Sequence, residues 1–160
     1  GARIADFGCG RTGHFVFPAA RIVGDTGIVY AVEILQDVLK TIQSRARSEG
    51  FHNVQTVWSN VELPKATGIP AGSLDAVCIV NMLSTLQKPQ AVLVEAARLL
   101  APTGRCVVID WMQKLGTLGP ALDRIVTAIQ VETMAQATGL AVVENFKINE
   151  YHYCLILEKK

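Results

Sequence analysis

Arg3-Ile4-Ala5-Asp6-Phe7-Gly8-Cys9-Gly10-Arg11-Thr12-Gly13 opens the chain almost at its first residue. A short apolar strand runs into an acid, then into three glycines spaced G-x-G-x-x-G, then into a helix-like segment. Glycine lets the backbone turn tightly and approach a ligand with no Cβ in the way. The helix that follows would aim free N–H groups at the same spot. A loop of this kind cradles a nucleotide-like cofactor, and Asp6 at its mouth bears on which one.

From this loop to the C-terminus, strand and helix signals alternate. Arg3–Phe7 reads as a strand and Phe15–Val23 as a helix that tolerates Pro18 in its first turn. Ile28–Val32 is a second strand, closed by Glu33. Leu35–Ser48 is an amphipathic helix with Leu35, Val38, Leu39 and Ile42 at helical spacing, stopped at Gly50. Val54–Trp58 is a third strand, and the Pro- and Gly-containing stretch from Asn60 to Gly72 reads as loop. Leu74–Val80 is nearly continuous in apolar residues, as expected of a strand covered on both faces. Pro89–Leu100 is a helix stopped by Pro102-Thr103-Gly104, and Cys106–Ile109 a fifth strand ending at Asp110 and Trp111. Pro120–Thr138 reads as a helix with Leu122, Ile125, Val126 and Ile129 on one face. Leu140–Ile148 and Tyr153–Leu157 have no helix between them and should pair as a hairpin.

These units predict an α/β fold: a doubly wound, mostly parallel seven-stranded Rossmann-like sheet with a C-terminal antiparallel hairpin, built as one domain over 1–160. In such sheets ligands bind beyond the carboxyl ends of the strands, where strand order reverses.

Composition narrows the function. Half of the 160 residues are hydrophobic, enough for a sizeable core. Charged residues are 18% and the net charge is +1, which argues against a broad nucleic-acid footprint or an anionic-membrane patch. No apolar run approaches a membrane span. Cys9, Cys78, Cys106 and Cys154 form no CxxC pair. They read as buried free thiols of a cytoplasmic protein, and no metal site is expected.

The chemistry concentrates at the predicted strand ends. Glu33 lies about 20 residues beyond the glycines, where an acid can accept bonds from both ribose hydroxyls or simply face solvent. Ile34 could pack on an adenine face or in the core. Ser59-Asn60-Val61-Glu62 could read an adenine edge, with Val61 supplying a backbone N–H, or form a turn. Asn81 could meet the cofactor's tail or a second substrate, or cap its strand. Trp111-Met112-Gln113-Lys114-Leu115-Gly116 is expected to rim a pocket for an organic small molecule.

The pattern resembles the class I S-adenosylmethionine (SAM)-dependent methyltransferases, closest to the small type 11, ubiquinone/menaquinone-biosynthesis-like group. Ile4–Gly13 is similar to their first motif and Val29-Tyr30-Ala31-Val32-Glu33 to the acidic one. Ser59-Asn60-Val61-Glu62-Leu63-Pro64 is similar to a third, although many members carry Asp where this chain has Asn60. Leu74-Asp75-Ala76-Val77 with Asn81, and Leu100-Ala101-Pro102-Thr103-Gly104-Arg105, match the two later motifs. The resemblance implies that Asp6 and the Gly8–Gly10 backbone hold the methionine end, Glu33 the ribose, and Ser59, Asn60 and Val61 the adenine. The implied cofactor set is Asp6, Phe7, Gly8, Cys9, Gly10, Gly13, Glu33, Ile34, Ser59, Asn60, Val61 and Asn81. S-adenosylhomocysteine would be the product.

Members of this family usually carry N-terminal helices over the cofactor. This chain has no counterpart to them, and a missing N-terminal segment is expected. Methyl transfer is an in-line displacement in which positioning can supply much of the catalysis. A base is needed only for a protonated acceptor, so no catalytic base is assigned. His14 is the nearest candidate but reads better as a helix-start residue. His52 and His152 fall in expected turns and receive no role. Three readings follow: a methyltransferase acting on a small molecule, a SAM-binding module without activity of its own, and a nicotinamide-dependent dehydrogenase using the same glycine spacing.

Overall fold

The computed structural model describes residues 1–160. Seven strands form one sheet in the order β3-β2-β1-β4-β5-β7-β6. The strands are β1 (Arg3–Phe7), β2 (Ile28–Glu33), β3 (Val54–Trp58), β4 (Leu74–Val80), β5 (Leu100–Trp111), β6 (Leu140–Lys147) and β7 (His152–Lys159). The first five run parallel, and β7 inserts antiparallel between β5 and β6. Strand order reverses between β1 and β4, whose carboxyl ends therefore part to leave a crevice.

Four helices cover the sheet: α1 (Val16–Val23), α2 (Gln36–Ser48), α3 (Pro89–Leu99) and α4 (Ala128–Ala137). Alternation along the strands divides the core in two. Val29 and Ala31 of β2 pack with Phe17 of α1 and Ile42 of α2. Tyr30 and Val32 point the other way, joining Phe7, Ile79, Leu93 and Val131 in the larger core beneath α3 and α4. The loop between β3 and β4 is anchored by buried Glu95 of α3, which accepts bonds from Arg98 at 2.7 and 2.8 Å and from the Thr67 hydroxyl at 2.7 Å.

β7 extends past its expected bounds, Tyr153–Leu157, at both ends, and two elements differ more. β5 begins at Leu100 rather than Cys106, so helix α3 passes into strand with no loop between. Its register against β4 shifts between Leu74 and Ala76. The second difference is larger. Residues 120–127 are not α-helical; only a short 3-10 turn spans Leu122–Arg124. Helix α4 starts later because Thr127 accepts a bond from the Gln130 N–H while Gln130 reaches back to the Thr127 N–H, a capping box that fixes the first turn there. The supposed apolar face dissolves: Leu122 is 72% and Ile129 77% exposed, and the buried positions are Val131 and Ala135. Thr127→Ala is expected to lower stability by about 1 kcal/mol, whereas Leu122→Ser should stay within about 0.5 kcal/mol of the parent. Equilibrium urea unfolding of both variants checks the assignment.

Candidate functional site

The glycine loop leaves β1 and is tied at once to the end of β2. The Val32 carbonyl accepts from the N–H groups of Gly8 at 2.9 Å and Cys9 at 3.2 Å. Glu33, next along β2, accepts from Gly10 N–H at 3.4 Å through one oxygen, and from the Ile34 and Leu35 N–H groups at 2.8 and 3.2 Å through the other. Gly10 has φ +63°, and a Cβ there would meet only the Gly8 carbonyl oxygen, at 4.0 Å. Gly13 (φ +56°) answers to packing instead: a Cβ would lie 2.6 Å from the Phe17 ring and 2.8 Å from Ile42.

Around this tie lies a cleft of about 170 Å³ at the carboxyl ends of β1 to β4. Gly8, Glu33, Ile34, Ser59, Asn60 and Val61 all line it, with Met82, Thr85 and Leu86 on the far wall. The Ser59 hydroxyl is buried with no hydrogen-bond partner. The Val61 N–H meets no protein acceptor. Asn60 spends its side-chain oxygen on the Glu62 N–H at 2.9 Å, so it forms a turn as well as lining the cleft. Ile34 is 53% exposed, an open apolar surface rather than a core residue.

Asp6, next to last in β1, has 4% of its surface exposed. Burial, and then the nearby Glu33 charge, push its pKa up to about 7. The same influences, burial followed by the Asp6 and Glu33 charges, raise the Cys9 thiol to about 12, so it stays protonated and unreactive at neutral pH. Asp6 therefore lies buried beside the cleft and within reach of the Glu33 charge, while Glu33 is the acid that lines the cleft itself. Phe7 contributes nothing from its side chain, which is fully buried in the larger core.

Asn81 faces a second cleft, of about 490 Å³, which shares Thr85 with the first. Asn81 has φ +51°, a left-handed conformation that Asn adopts more readily than most residues. That turn swings the chain out of β4 and delivers the N–H groups of Met82 and Leu83 to Asp110, at 3.2 and 2.9 Å. Asp110 also accepts from the Trp111 N–H at 2.8 Å and is fully buried, which raises its pKa above the ordinary carboxylate value. Trp111 lines the second cleft as expected, but Met112 packs on the core. The opposite wall comes from Gly119, Pro120, Ala121 and Arg124, the last three of which the sequence pattern assigned to a helix. His152 is no turn residue: it opens β7 opposite Trp111 and packs on the indole with ring centroids 4.2 Å apart. His14 is exposed beside Phe15.

Asp110 thus holds the turn that separates the two clefts. Asp110→Asn leaves one acceptor oxygen for three N–H groups and should cost about 1–3 kcal/mol in urea unfolding.

A family model described as a methyltransferase domain matches residues 1–154. Aklanonic acid methyltransferase DauC of Streptomyces sp. (strain C5) is 33% identical over 119 residues, 73% of this chain and 51% of that protein. The ubiquinone/menaquinone biosynthesis C-methyltransferase UbiE of Erwinia tasmaniensis is 30% identical over 112 residues, 69% of this chain and 43% of that protein. The chain therefore spans about half the length, or less, of these relatives. Among solved structures, a SAM-dependent methyltransferase from Aquifex aeolicus superposes with a TM-score of 0.84 at 20% identity, covering 98% of this chain and 81% of that one. That last likeness is one of fold; together with the family match and the two sequence relatives, it means that the chain belongs to the class I S-adenosylmethionine-dependent methyltransferases, in the type 11 group.

Proposed function

We propose that this chain binds SAM in the smaller cleft and transfers its methyl group to a small organic acceptor in the larger one, as one cytoplasmic domain over 1–160. The observation that carries this reading is the convergence of a buried acid, an anchored carboxylate and unpaired polar groups at the ends of β1, β2 and β3. SAM carries an adenosine, a sulfonium and an α-ammonium. Asp6 suits the positively charged methionine end, and the Glu33 carboxylate the ribose hydroxyls. The free Val61 N–H and orphaned Ser59 hydroxyl suit an adenine edge, and the open Ile34 side chain its face. When bound, SAM supplies a methyl carbon already activated by its sulfonium.

The residues then divide by task. Gly8, Cys9 and Gly10 offer backbone for close approach to the methionine end beside Asp6, with Phe7 and Gly13 shaping the loop from behind. Glu33 orients the ribose while its own N–H bonds hold it still. Asn81 stands where the two clefts meet. No base is assigned, and catalysis rests on positioning an acceptor in line with the C–S bond. The printed names of two relatives, an aklanonic acid methyltransferase and a ubiquinone/menaquinone biosynthesis enzyme, support a small-molecule acceptor. Four free cysteines agree with a reducing compartment, and no helix is long and apolar enough to cross a membrane.

Calorimetry with SAM and NAD side by side tests the cofactor. SAM should bind in the micromolar range, and Glu33→Ala should weaken it tenfold or more, about 1.4 kcal/mol. Tight NAD binding would favour a dehydrogenase. SAM binding without turnover on any acceptor would leave a binding module.

The pH dependence follows from Asp6. Its proton is held up to about pH 7 in the free protein, and a cation favours the ionised form. SAM affinity should therefore fall as pH drops below 7, by up to about tenfold per unit, and level off above it. Asp6→Asn should flatten that profile. In the absence of ligand the unfolded chain loses this proton first. The free protein should therefore lose stability as pH rises from about 4 to 7.

A further inference from the structure

The larger cleft contains one ionisable side chain, Arg124, and no base. The Arg124 guanidinium is aimed by the backbone: Nε donates to the Ser84 carbonyl at 3.1 Å and one Nη to the Leu86 carbonyl at 3.4 Å. These bonds tie the 3-10 turn at Leu122–Arg124 to the wall shared by both clefts. They leave the other Nη without a protein partner, and they bring no negative charge. Arg124 enters no ion pair, not even with its neighbour Asp123. Five of the other seven arginines, Arg11, Arg21, Arg45, Arg98 and Arg105, each have a carboxylate within 4.0 Å; Arg3 and Arg47 have none but line neither cleft. An oriented guanidinium with spare donors is a ready partner for a carboxylate.

Trp111 supplies an aromatic wall to the same cleft, braced from behind by His152. Gly119 lets the opposite loop close on that wall, since a Cβ there would come within 3.1 Å of the indole. A cleft with one uncompensated cation, one aromatic wall and no proton acceptor suits a substrate that arrives flat and already ionised. Resting on the methyltransferase reading above, we propose that the acceptor is a planar organic acid whose carboxylate pairs with Arg124 while its ring meets the part of Trp111 that lines the cleft.

The test uses the chain saturated with S-adenosylhomocysteine, so that binding is read without turnover. The probes are 1-naphthoate and its neutral isostere 1-naphthamide, titrated by calorimetry. The parent protein should bind naphthoate at least tenfold more tightly than the amide. Arg124→Gln should reduce that preference to within about twofold by weakening naphthoate alone, and Arg124→Lys, which keeps the charge but not the fork, should restore part of it. S-adenosylhomocysteine affinity, measured on every variant, should stay within about threefold and reports that the fold is intact. Equal binding of acid and amide by the parent, or an acid preference that survives Arg124→Gln, would overturn the proposal while leaving the cofactor reading standing. Failure of the parent to bind S-adenosylhomocysteine would bring down the cofactor reading and this proposal with it.

Discussion

The Glu33 carboxylate is the joint on which the site turns. It gathers N–H groups from Gly10, Ile34 and Leu35, while the preceding Val32 carbonyl receives two more from the glycine loop. A loop of glycines is entropically costly to order. Here hydrogen bonds to the neighbouring strand offset that cost, so the chain's own backbone orders the loop. Preorganisation of this kind lets ligand contacts appear as affinity rather than being consumed in ordering the loop.

A second acid performs the same service on the other side of the crevice. Asp110 gathers three N–H groups of the β4 turn and of Trp111, near the end of β5. The two carboxylates resemble one another in using backbone donors rather than arginine partners. Their surroundings differ: Glu33 opens on the crevice, whereas Asp110 has no exposed surface at all. One is free to touch a ligand, and the other acts only through the chain it holds.

Much of this was legible in the residues because the signals are local. The glycine spacing, the acid at the end of the second strand and the period-2 alternation all act within a few positions, and the sheet, its hairpin and most of the smaller cleft follow from them. What escaped was non-local or ambiguous. The partnership of Asp110 with Met82 and Leu83 spans nearly thirty positions and leaves no pattern in either segment. Asn81 looks like a ligand-binding residue, yet its left-handed backbone supplies a conformational reason for its identity. Leu122, Ile125, Val126 and Ile129 imitate a helical stripe while two of them face solvent. The true helix start, Thr127 with Gln130, was readable as a capping box and was masked by that imitation. Arg124 was hidden for the same reason, since a residue assigned to a helix is not looked for in a pocket wall.

The knot of Glu95, Arg98 and Thr67 has a consequence for how the molecule can change. It clamps the segment that leads away from the smaller cleft, and no comparable knot grips the stretch from Lys114 to Ala121. The two clefts share Thr85, and Arg124 joins the larger to the wall of the smaller through the Ser84 and Leu86 carbonyls, so the firmer grip lies on the side of the smaller cleft. On the proposed reading, substitutions in the looser stretch would bear first on the acceptor, and those near the clamped segment first on the cofactor.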